Sequence, residues 1–258
     1  SFKPTILGDS VFCVGSTAKF KANSNGTSIN WNSTGGGLLN PNNDSCFVTA
    51  TQQGNFILVA TSSNKCGFGL ADSINFEIQD IPQIPSVIQG NLKTCVGAVD
   101  SFFTNAPNAD SIIWSINGGG LISGNQNFVV ANWQNAGTFL LEAKPVNFCG
   151  TGSPRVAIVE TSKLPEAPTV VQGDTFVCKG STTYIVATTT PASYIWKTNH
   201  VFNILPKGNT AKIDFDTTGN FNLKIISTNY CGVGDSTQLS IKVLGVPNKP
   251  TQIFGDDS

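Results

Sequence analysis

Seven cysteines are the residues of this chain whose spacing best fits a chemical role. Six of them fall into two recurring sets, the opening cysteines and the exit cysteines, and Cys46 is left over. The opening cysteines are Cys13, Cys95 and Cys178, and the exit cysteines are Cys66, Cys149 and Cys231. Paired cysteines indicate disulfides and an oxidising, extracellular setting. Zinc is the competing interpretation, but the chain has no Cys-x-x-Cys knuckle and only one histidine, His200, so we expect no metal site.

Each exit cysteine stands in the same six-residue motif, Asn-x-Cys-Gly-x-Gly. The motif occupies residues 64–69, 147–152 and 229–234. Glycines on the C-terminal side of the cysteine favour a tight turn, because glycine readily adopts positive φ. We therefore expect three matching turns that each present a cysteine.

The composition of the chain disfavours several classes of function. The 258 residues carry a net charge of −1, with 12% charged and 40% hydrophobic residues, so no basic surface for nucleic acid is indicated. No apolar run is long enough to span a membrane. Common catalytic motifs are missing, and one histidine in three repeats makes a Ser-His-Asp site improbable, so we expect no enzyme and no catalytic residue.

The chain is a tandem repeat with a period of 82 or 83 residues. The markers that hold this period are the cysteines, one tryptophan and one glycine: Trp31, Trp114 and Trp196, then Gly54, Gly137 and Gly219. Pro-x-x-Pro segments begin at residues 82, 165 and 247. We predict repeats at 1–81, 82–164 and 165–246, with 247–258 beginning a truncated fourth. The chain also lacks methionine, so we expect a slice of a longer protein.

Alternating apolar residues predict short strands in every repeat. The segment after each marker glycine reads GNFILVA, GTFLLEA or GNFNLKI, and the preceding segment alternates in the same way. About seven such strands in ~82 residues predict an all-β antiparallel sandwich of immunoglobulin type. The three tryptophans are expected in the cores. Stiff Pro-rich joints favour an elongated rod.

These motifs resemble a known family. Cys-Val-Gly-Ser-Thr at 13–17, the glycine runs after Trp31 and Trp114, and the Asn-x-Cys-Gly turns are similar to PKD-like, immunoglobulin-like repeats. Such repeats occur in giant surface proteins of Bacteroidota-type bacteria, including gliding-motility adhesins exported by the type IX secretion system. The third repeat departs from the pattern, because Asn199-His200-Val201 replaces the glycine run.

Two disulfide patterns remain open for this fold. The within-repeat pattern is Cys13–Cys66, Cys95–Cys149 and Cys178–Cys231. In an immunoglobulin-type sandwich these cysteines lie at opposite ends, tens of Å apart, whereas a disulfide needs Cα atoms within ~7 Å. We therefore prefer the inter-repeat pattern, Cys13–Cys149 and Cys95–Cys231, with Cys66 and Cys178 pairing to absent repeats.

The sequence also allows predictions about the state of the Cys46 thiol and about the acidic residues at the joints. Cys46 occupies an inward slot matched by Val129 and Ala211, so we expect a buried free thiol rather than a reactive one. Asp9, Asp174 and Asp256, with Asn91 in the second repeat, follow the joint glycines, where calcium is conceivable. No joint gathers three carboxylates, so simple turns are preferred and no cofactor is expected.

The resemblance also implies glycans. Asp-Ser/Thr-apolar triads look like the O-glycosylation acceptor pattern of the same bacterial group; the candidate acceptors are Ser10, Ser73, Ser111, Thr217 and Ser236. The alternative is that Asp-Ser belongs to turns.

The resemblance implies a force-bearing stalk of a secreted cell-surface adhesin or filament, whose expected partners are neighbouring repeats and a surface polysaccharide or substratum. The alternative is a polysaccharide-binding accessory module of a secreted enzyme. That alternative needs exposed aromatics, yet Trp133, the one tryptophan outside the repeated position, falls in an inward slot.

Overall fold

The computed structural model describes residues 3–25, 27–187 and 193–251. Within these ranges 24 β-strands form six sheets, two for each repeat. The described residues include no helix that is long and apolar enough to cross a membrane. The all-β, sandwich-repeat prediction is therefore confirmed.

The first repeat is a sandwich of two four-stranded sheets. Its strands are β1 (Thr5–Gly8), β2 (Val11–Cys13), β3 (Thr17–Asn23), β4 (Ser28–Ser33), β5 (Gly37–Asn42), β6 (Ser45–Ala50), β7 (Gly54–Asn64) and β8 (Gly67–Gln79). The sheet orders are β1-β3-β6-β5 and β2-β8-β7-β4. The pairs are antiparallel except for β2, which lies parallel to β8.

The second repeat follows the same plan with a shorter first sheet. Its strands are β9 (Lys93–Cys95), β10 (Val99–Phe103), β11 (Ser111–Ile116), β12 (Gly120–Asn125), β13 (Phe128–Trp133), β14 (Gly137–Asn147), β15 (Gly150–Thr151) and β16 (Arg155–Ser162). The sheet orders are β10-β13-β12 and β11-β14-β16-β9, and β15 pairs with β14. In place of a counterpart to β1, Gln89 makes a single bridge to Phe103.

The third repeat returns to two four-stranded sheets. Its strands are β17 (Val170–Gln172), β18 (Phe176–Cys178), β19 (Gly180–Ala187), β20 (Ser193–Thr198), β21 (Asn203–Lys207), β22 (Thr210–Phe215), β23 (Gly219–Asn229) and β24 (Gly232–Leu244). The sheet orders are β17-β19-β22-β21 and β18-β24-β23-β20. As in the first repeat, the short strand that ends in the opening cysteine, β18, lies parallel to the last strand, β24.

Each sandwich has its own core, built by the alternation of its strands. The inward residues of β6, β13 and β22 are buried: Cys46, Val48 and Ala50; Val129, Ala131 and Trp133; Ala211, Ile213 and Phe215. One slot holds a fully buried ring in every repeat, as Phe20, Phe102 and Tyr184. The hydrophobic alternation in sequence thus corresponds to three separate cores.

By compactness the chain divides into two units. Unit 1 comprises Ser1–Lys93 and Gly97–Glu160, and unit 2 comprises Thr94–Val96 and Thr161–Ser258. This division tests none of the predicted repeat boundaries, which stay predictions. Residues 247–251 of the predicted fourth repeat form no strand, and the rest of that segment lies outside the described residues.

Candidate functional site at the repeat joints

The opening cysteine of the first repeat stands where the chain leaves the sandwich. Cys13 ends β2 and is the pairing partner of Gln79, the last residue of β8. Val14 N donates to Gln79 O at 2.9 Å, which extends this pairing by one bond. The parallel strand therefore carries the thiol of Cys13 to the start of the joint that follows Gln79.

The exit cysteine of the second repeat is presented by a tight turn between β14 and β15. Asn147 Oδ1 accepts hydrogen bonds from Cys149 N at 2.9 Å and from Gly150 N at 3.1 Å. Gly150 has a φ of 141°, which a residue with a Cβ adopts only under strain. The asparagine and the first glycine of the motif thus fix the direction of Cys149.

Cys13 and Cys149 form a disulfide in unit 1. The S–S distance is 2.09 Å and the Cα–Cα distance is 5.6 Å, within the ordinary range for a disulfide. Asn147 also holds the joint, since its Nδ2 donates to Asp80 O and to Asn108 O, both at 2.8 Å. Asn147 is 7% exposed, so these bonds satisfy a buried amide.

The second glycine of the motif allows a close approach of two backbones. A Cβ placed on Gly152 would lie 2.2 Å from Pro82 O. The neighbouring joint residue Ile81 packs beside the turn, with its Cγ2 3.5 Å from the Cβ position of Gly150. Arg155 Nε donates to Pro85 O at 2.9 Å. The Pro-x-x-Pro segment is therefore held along its length by the second sandwich.

The second joint lies in unit 2 and repeats this geometry. Cys95 and Cys231 form a disulfide with an S–S distance of 2.06 Å and a Cα–Cα distance of 5.7 Å. Asn229 Oδ1 accepts from Cys231 N at 2.8 Å, and its Nδ2 donates to Lys163 O at 2.7 Å. A Cβ on Gly234 would lie 1.9 Å from Pro165 O. The asparagine, the cysteine and the second glycine of the motif thus have matching roles at both joints.

The two joints differ in two side chains. Thr237 Oγ1 donates to Pro168 O at 2.6 Å, where the first joint uses Arg155. Tyr230, the variable residue of the motif, donates from Oη to Thr94 O at 3.0 Å. Its counterpart Phe148 is 66% exposed. Tyr230 therefore adds to the second joint a hydrogen bond that the ring of Phe148 has no donor to make.

Three cysteines are free: Cys46 is buried, and Cys66 and Cys178 are exposed. Burial raises the pKa of the Cys46 thiol, which disfavours its reactive thiolate. The within-repeat pattern, Cys13–Cys66, Cys95–Cys149 and Cys178–Cys231, is not formed. In the first repeat the 13 residues of β8 separate the two positions, a span of about 40 Å at ~3.3 Å per residue.

The predicted core tryptophans are not equally buried. Trp31 and Trp196 are each 7% exposed, whereas Trp114 is half-buried. Trp31 Nε1 and Trp114 Nε1 donate to Asn43 O and Gln126 O, both at 3.1 Å. Trp133, which has no counterpart tryptophan, is fully buried at the centre of the second core.

The joint carboxylates that the structure describes do not gather into a metal site. Among the described residues no group of three or more His, Cys, Asp or Glu side chains is placed to hold a metal ion. Asn91 Nδ2 donates to Asp100 Oδ1 at 3.3 Å, and Asp174 O accepts from Tyr184 Oη at 2.9 Å. Asp256 lies outside the described residues.

Of the candidate glycan acceptors, four are exposed and Ser236 is half-buried; the exposed four are Ser10, Ser73, Ser111 and Thr217.

The contacts that the asparagine and the second glycine of the motif make with the joint were not predicted from the sequence. It assigned the glycines to a turn, but Gly152 and Gly234 instead make room for proline carbonyls. It gave the asparagine no role, although its two amide atoms serve the turn and the joint at once. The recurrence of Asn at 64, 147 and 229 was the available signal.

The third repeat is similar to a known domain family. Residues 164–241 match the model of the PKD-like domain family. No curated protein sequence matches the chain. Domains of this kind are generally non-catalytic extracellular or structural modules, and disulfides are typical of extracellular proteins.

Three solved structures with tandem domains are similar to the chain. A titin I-band fragment covers 96% of this chain and 100% of its own, at 14% identity and a TM-score of 0.49. The first eight immunoglobulin domains of Down syndrome cell adhesion molecule cover 95% and 36%, at 15% identity and 0.41. The three-domain ectodomain of mouse nectin-like molecule 4 covers 95% and 99%, at 12% identity and 0.38. At these scores the likenesses add nothing to the strand topology.

Proposed function

We propose that this chain is a non-catalytic, force-bearing stalk segment of a long secreted adhesin or filament at a bacterial cell surface. The PKD-like match and the joint disulfides support an extracellular repeat protein. The resemblance of the repeat motifs to gliding-motility adhesins supports export by the type IX secretion system and a role in gliding or surface attachment. Neighbouring repeats are then the main partners.

The overlap of the two disulfides is the observation that carries this proposal. Each bond joins residues 136 positions apart, and Cys95 lies inside the loop that the first bond closes. The shortest covalent route from Cys13 to Cys231 crosses the first bond, runs back from Cys149 to Cys95 and crosses the second. It contains 54 backbone steps, against 218 along the main chain.

This covalent shortcut limits how far the segment extends under tension. Even with every sandwich unfolded, Cys13 and Cys231 separate by about 190 Å rather than about 760 Å, at about 3.5 Å per residue. Pulling force then passes through two disulfides and the second repeat, and most of the first and third repeats lies outside the loaded route. A stalk built this way therefore lengthens less when its domains unfold than one held by the main chain alone.

Non-reducing peptide mapping of protein from its native source tests the pairing. We expect Cys13–Cys149 and Cys95–Cys231 peptides. A Cys13–Cys66 or Cys178–Cys231 peptide would contradict the proposal, because within-repeat bonds do not connect neighbouring sandwiches.

Single-molecule stretching tests the mechanical role, and one variant makes it decisive. In the Cys66→Ser/Cys178→Ser variant we expect the oxidised chain to reach only about 190 Å between Cys13 and Cys231, rising to about 760 Å in reductant. Within-repeat bonding would leave only Cys95–Cys149 in this variant, and the oxidised limit would be about 570 Å. That result would overturn the covalent shortcut.

A second candidate function is polysaccharide binding, as in an accessory module of a secreted enzyme. One exposed aromatic pair favours it: Phe103 and Phe128 are 50% and 45% exposed on neighbouring strands, with ring centroids 6.3 Å apart. Sugar rings pack against flat aromatic faces, so the Phe103→Ala/Phe128→Ala variant should lose retention in gels containing the polysaccharide ligand. Equal retention of both proteins on every polysaccharide tried would remove this candidate.

We also propose O-glycans on the Asp-Ser/Thr acceptors. Ser10, Ser73, Ser111 and Thr217 are exposed, so a transferase reaches them without unfolding, whereas Ser236 is half-buried. Intact-mass measurement on native-source protein should exceed the sequence mass by whole glycan units. A mass equal to the sequence mass would rule the glycans out.

A further inference from the structure

The exposed thiols Cys66 and Cys178 stand in two settings that each match one half of the joint seen twice in this chain. Cys178 ends β18 beside Leu244, in the register that places Cys13 beside Gln79. Lys179 N donates to Leu244 O at 3.2 Å, as Val14 N does to Gln79 O. Cys178 therefore has the backbone setting of a bonded opening cysteine.

Cys66 has the backbone setting of a bonded exit cysteine. Asn64 Oδ1 accepts from Cys66 N at 2.8 Å, matching Asn147 and Cys149. Gly67 has a φ of 127°, close to that of Gly150. The turn is thus formed before any partner is bonded to it.

The surroundings of Cys178 also expose the other parts of a joint. Val246 corresponds to Ile81 and Leu164, which pack beside the exit glycines of the following repeat. Ile81 and Leu164 are 51% and 54% exposed, whereas Val246 is 93% exposed. Positions 245 and 247 correspond to those whose carbonyls accept from the asparagine and approach the second glycine.

We propose that these two half-joints are a docking pair: the Cys178 half-joint of one chain binds the Cys66 half-joint of a second copy, which takes the place of the neighbouring repeat expected there, and closes a third disulfide of the same kind. The proposal rests on the joint as the unit of the stalk function above. Its partner is a repeat of the same class, because the docked surfaces are a cysteine, an asparagine amide, two glycines and an apolar joint residue. Each copy supplies both halves.

The bond forms by thiol–disulfide exchange with a small-molecule disulfide such as oxidised glutathione. The Cys66 thiolate attacks one glutathione sulfur, which gives a mixed disulfide and releases one glutathione thiolate. The Cys178 thiolate of the second copy then attacks the Cys66 sulfur and releases the other glutathione thiolate. Two protein thiols are oxidised and one glutathione disulfide is reduced to two thiols, so atoms and electrons balance.

Mixing two single variants tests the docking. Cys66→Ser keeps only the Cys178 half-joint, and Cys178→Ser keeps only the Cys66 half-joint. Mixed in a glutathione redox buffer, they should give a cross-linked heterodimer about tenfold or more in excess of either homodimer, because docking raises the effective thiol concentration. The unmodified chain should give a ladder of multiples of its own mass.

Matched variants show whether recognition, rather than thiol exposure, drives the bond. Val246→Asp in the Cys66→Ser chain should reduce heterodimer yield about tenfold, while Val201→Asp, at 92% exposure against 93%, should not. Gly69→Val in the Cys178→Ser chain should act like Val246→Asp. Homodimers in equal yield, indifference to Val246→Asp, or a Cys66–Cys178 bond within a monomer would each overturn the docking pair.

The same samples distinguish a failure of the docking pair from a failure of the stalk proposal. Peptide maps of every variant report Cys13–Cys149 and Cys95–Cys231, which the stalk requires. If those bonds are present and no heterodimer forms, only the docking pair fails. If those bonds are missing, the stalk proposal fails as well.

Discussion

The exit turns of the first and second repeats have the same motif and the same backbone but different surroundings. In both, the asparagine Oδ1 accepts from the cysteine N, and the next glycine has positive φ. Asn147 is buried and Cys149 is bonded, whereas Asn64 and Cys66 are exposed and Cys66 is free. The motif alone is therefore sufficient to form the turn, whereas a joint also requires contacts with the preceding sandwich.

The largest expected difference between the two turns comes from their cysteines. The Cys13→Ser/Cys149→Ser variant should lower the free energy of unfolding by about 2–5 kcal/mol, because a bond between residues 136 apart restricts the unfolded chain. Cys66→Ser should leave it unchanged. Calorimetry of the three proteins measures this, and equal losses would break the comparison between bonded and free turns.

A core position extends the comparison to alkaline pH. Phe20, Phe102 and Tyr184 fill one slot, and burial, with a smaller contribution from Asp174, raises the pKa of Tyr184 to about 12. Because the folded pKa lies above the unfolded value of about 10, the stabilisation is complete below pH ~10 and is lost as pH rises through ~12.

Raising the pH over this range should therefore lower the free energy of unfolding of the third repeat by about 2–3 kcal/mol through Tyr184. Burial also raises the pKa of Tyr194 in this repeat, so the test uses a Tyr194→Phe background, in which Tyr184→Phe should abolish the slope. The second repeat, which holds Phe102 in the slot, serves as the internal control, because the first repeat contains the buried Cys46 thiol, whose pKa is also raised. Denaturant titrations between pH 9 and 12 with repeat-specific hydrogen exchange measure the effect. A slope that survives Tyr184→Phe would assign it to another group.

The second glycine of the motif offers a sharper pair of variants. Gly152→Ala should destabilise the first joint by about 1–3 kcal/mol, since its Cβ would meet the backbone oxygen of Pro82 at 2.2 Å. Gly69→Ala changes the matching residue of the unbonded turn and should destabilise an isolated chain less than Gly152→Ala does. The reduction rate of Cys13–Cys149 by dithiothreitol reports joint opening. Similar rates in both variants would refute the role given to Gly152.

The asparagines should show the smallest difference. Asn147→Ala removes hydrogen bonds to the turn and to the joint and leaves Asp80 O and Asn108 O without that donor, at a cost of about 1–2 kcal/mol. Asn64→Ala removes one exposed bond and should cost a few tenths of a kcal/mol. Urea unfolding measures both. Equal costs would show that the amide serves the turn alone.

Much of the fold followed from the sequence because its signals are local. Alternation along β6, β13 and β22 predicts their inward residues, including Cys46, and these are buried as expected. The same alternation predicts the burial of Trp133, but the half-burial of Trp114, which was expected in the core, did not follow from it. Side chains from several strands share the volume of one core, so a large residue on one strand is balanced by smaller residues on others. The pattern along a single strand therefore does not predict how deeply each side chain is buried.

The period, the sandwich type and the shape of the exit turns follow from the amino-acid sequence, because hydrophobic alternation, glycine φ and asparagine capping act within a few residues. The sequence leaves two disulfide patterns open and assigns no partner to the asparagine or to the second glycine of the motif. The pairing of the cysteines and the contacts of these two residues depend on how distant parts of the chain pack together. The parallel pairing of β2 with β8 places Cys13 beside the outgoing joint, and the approach of Gly152 to Pro82 depends on two backbones that are about 70 residues apart in the chain.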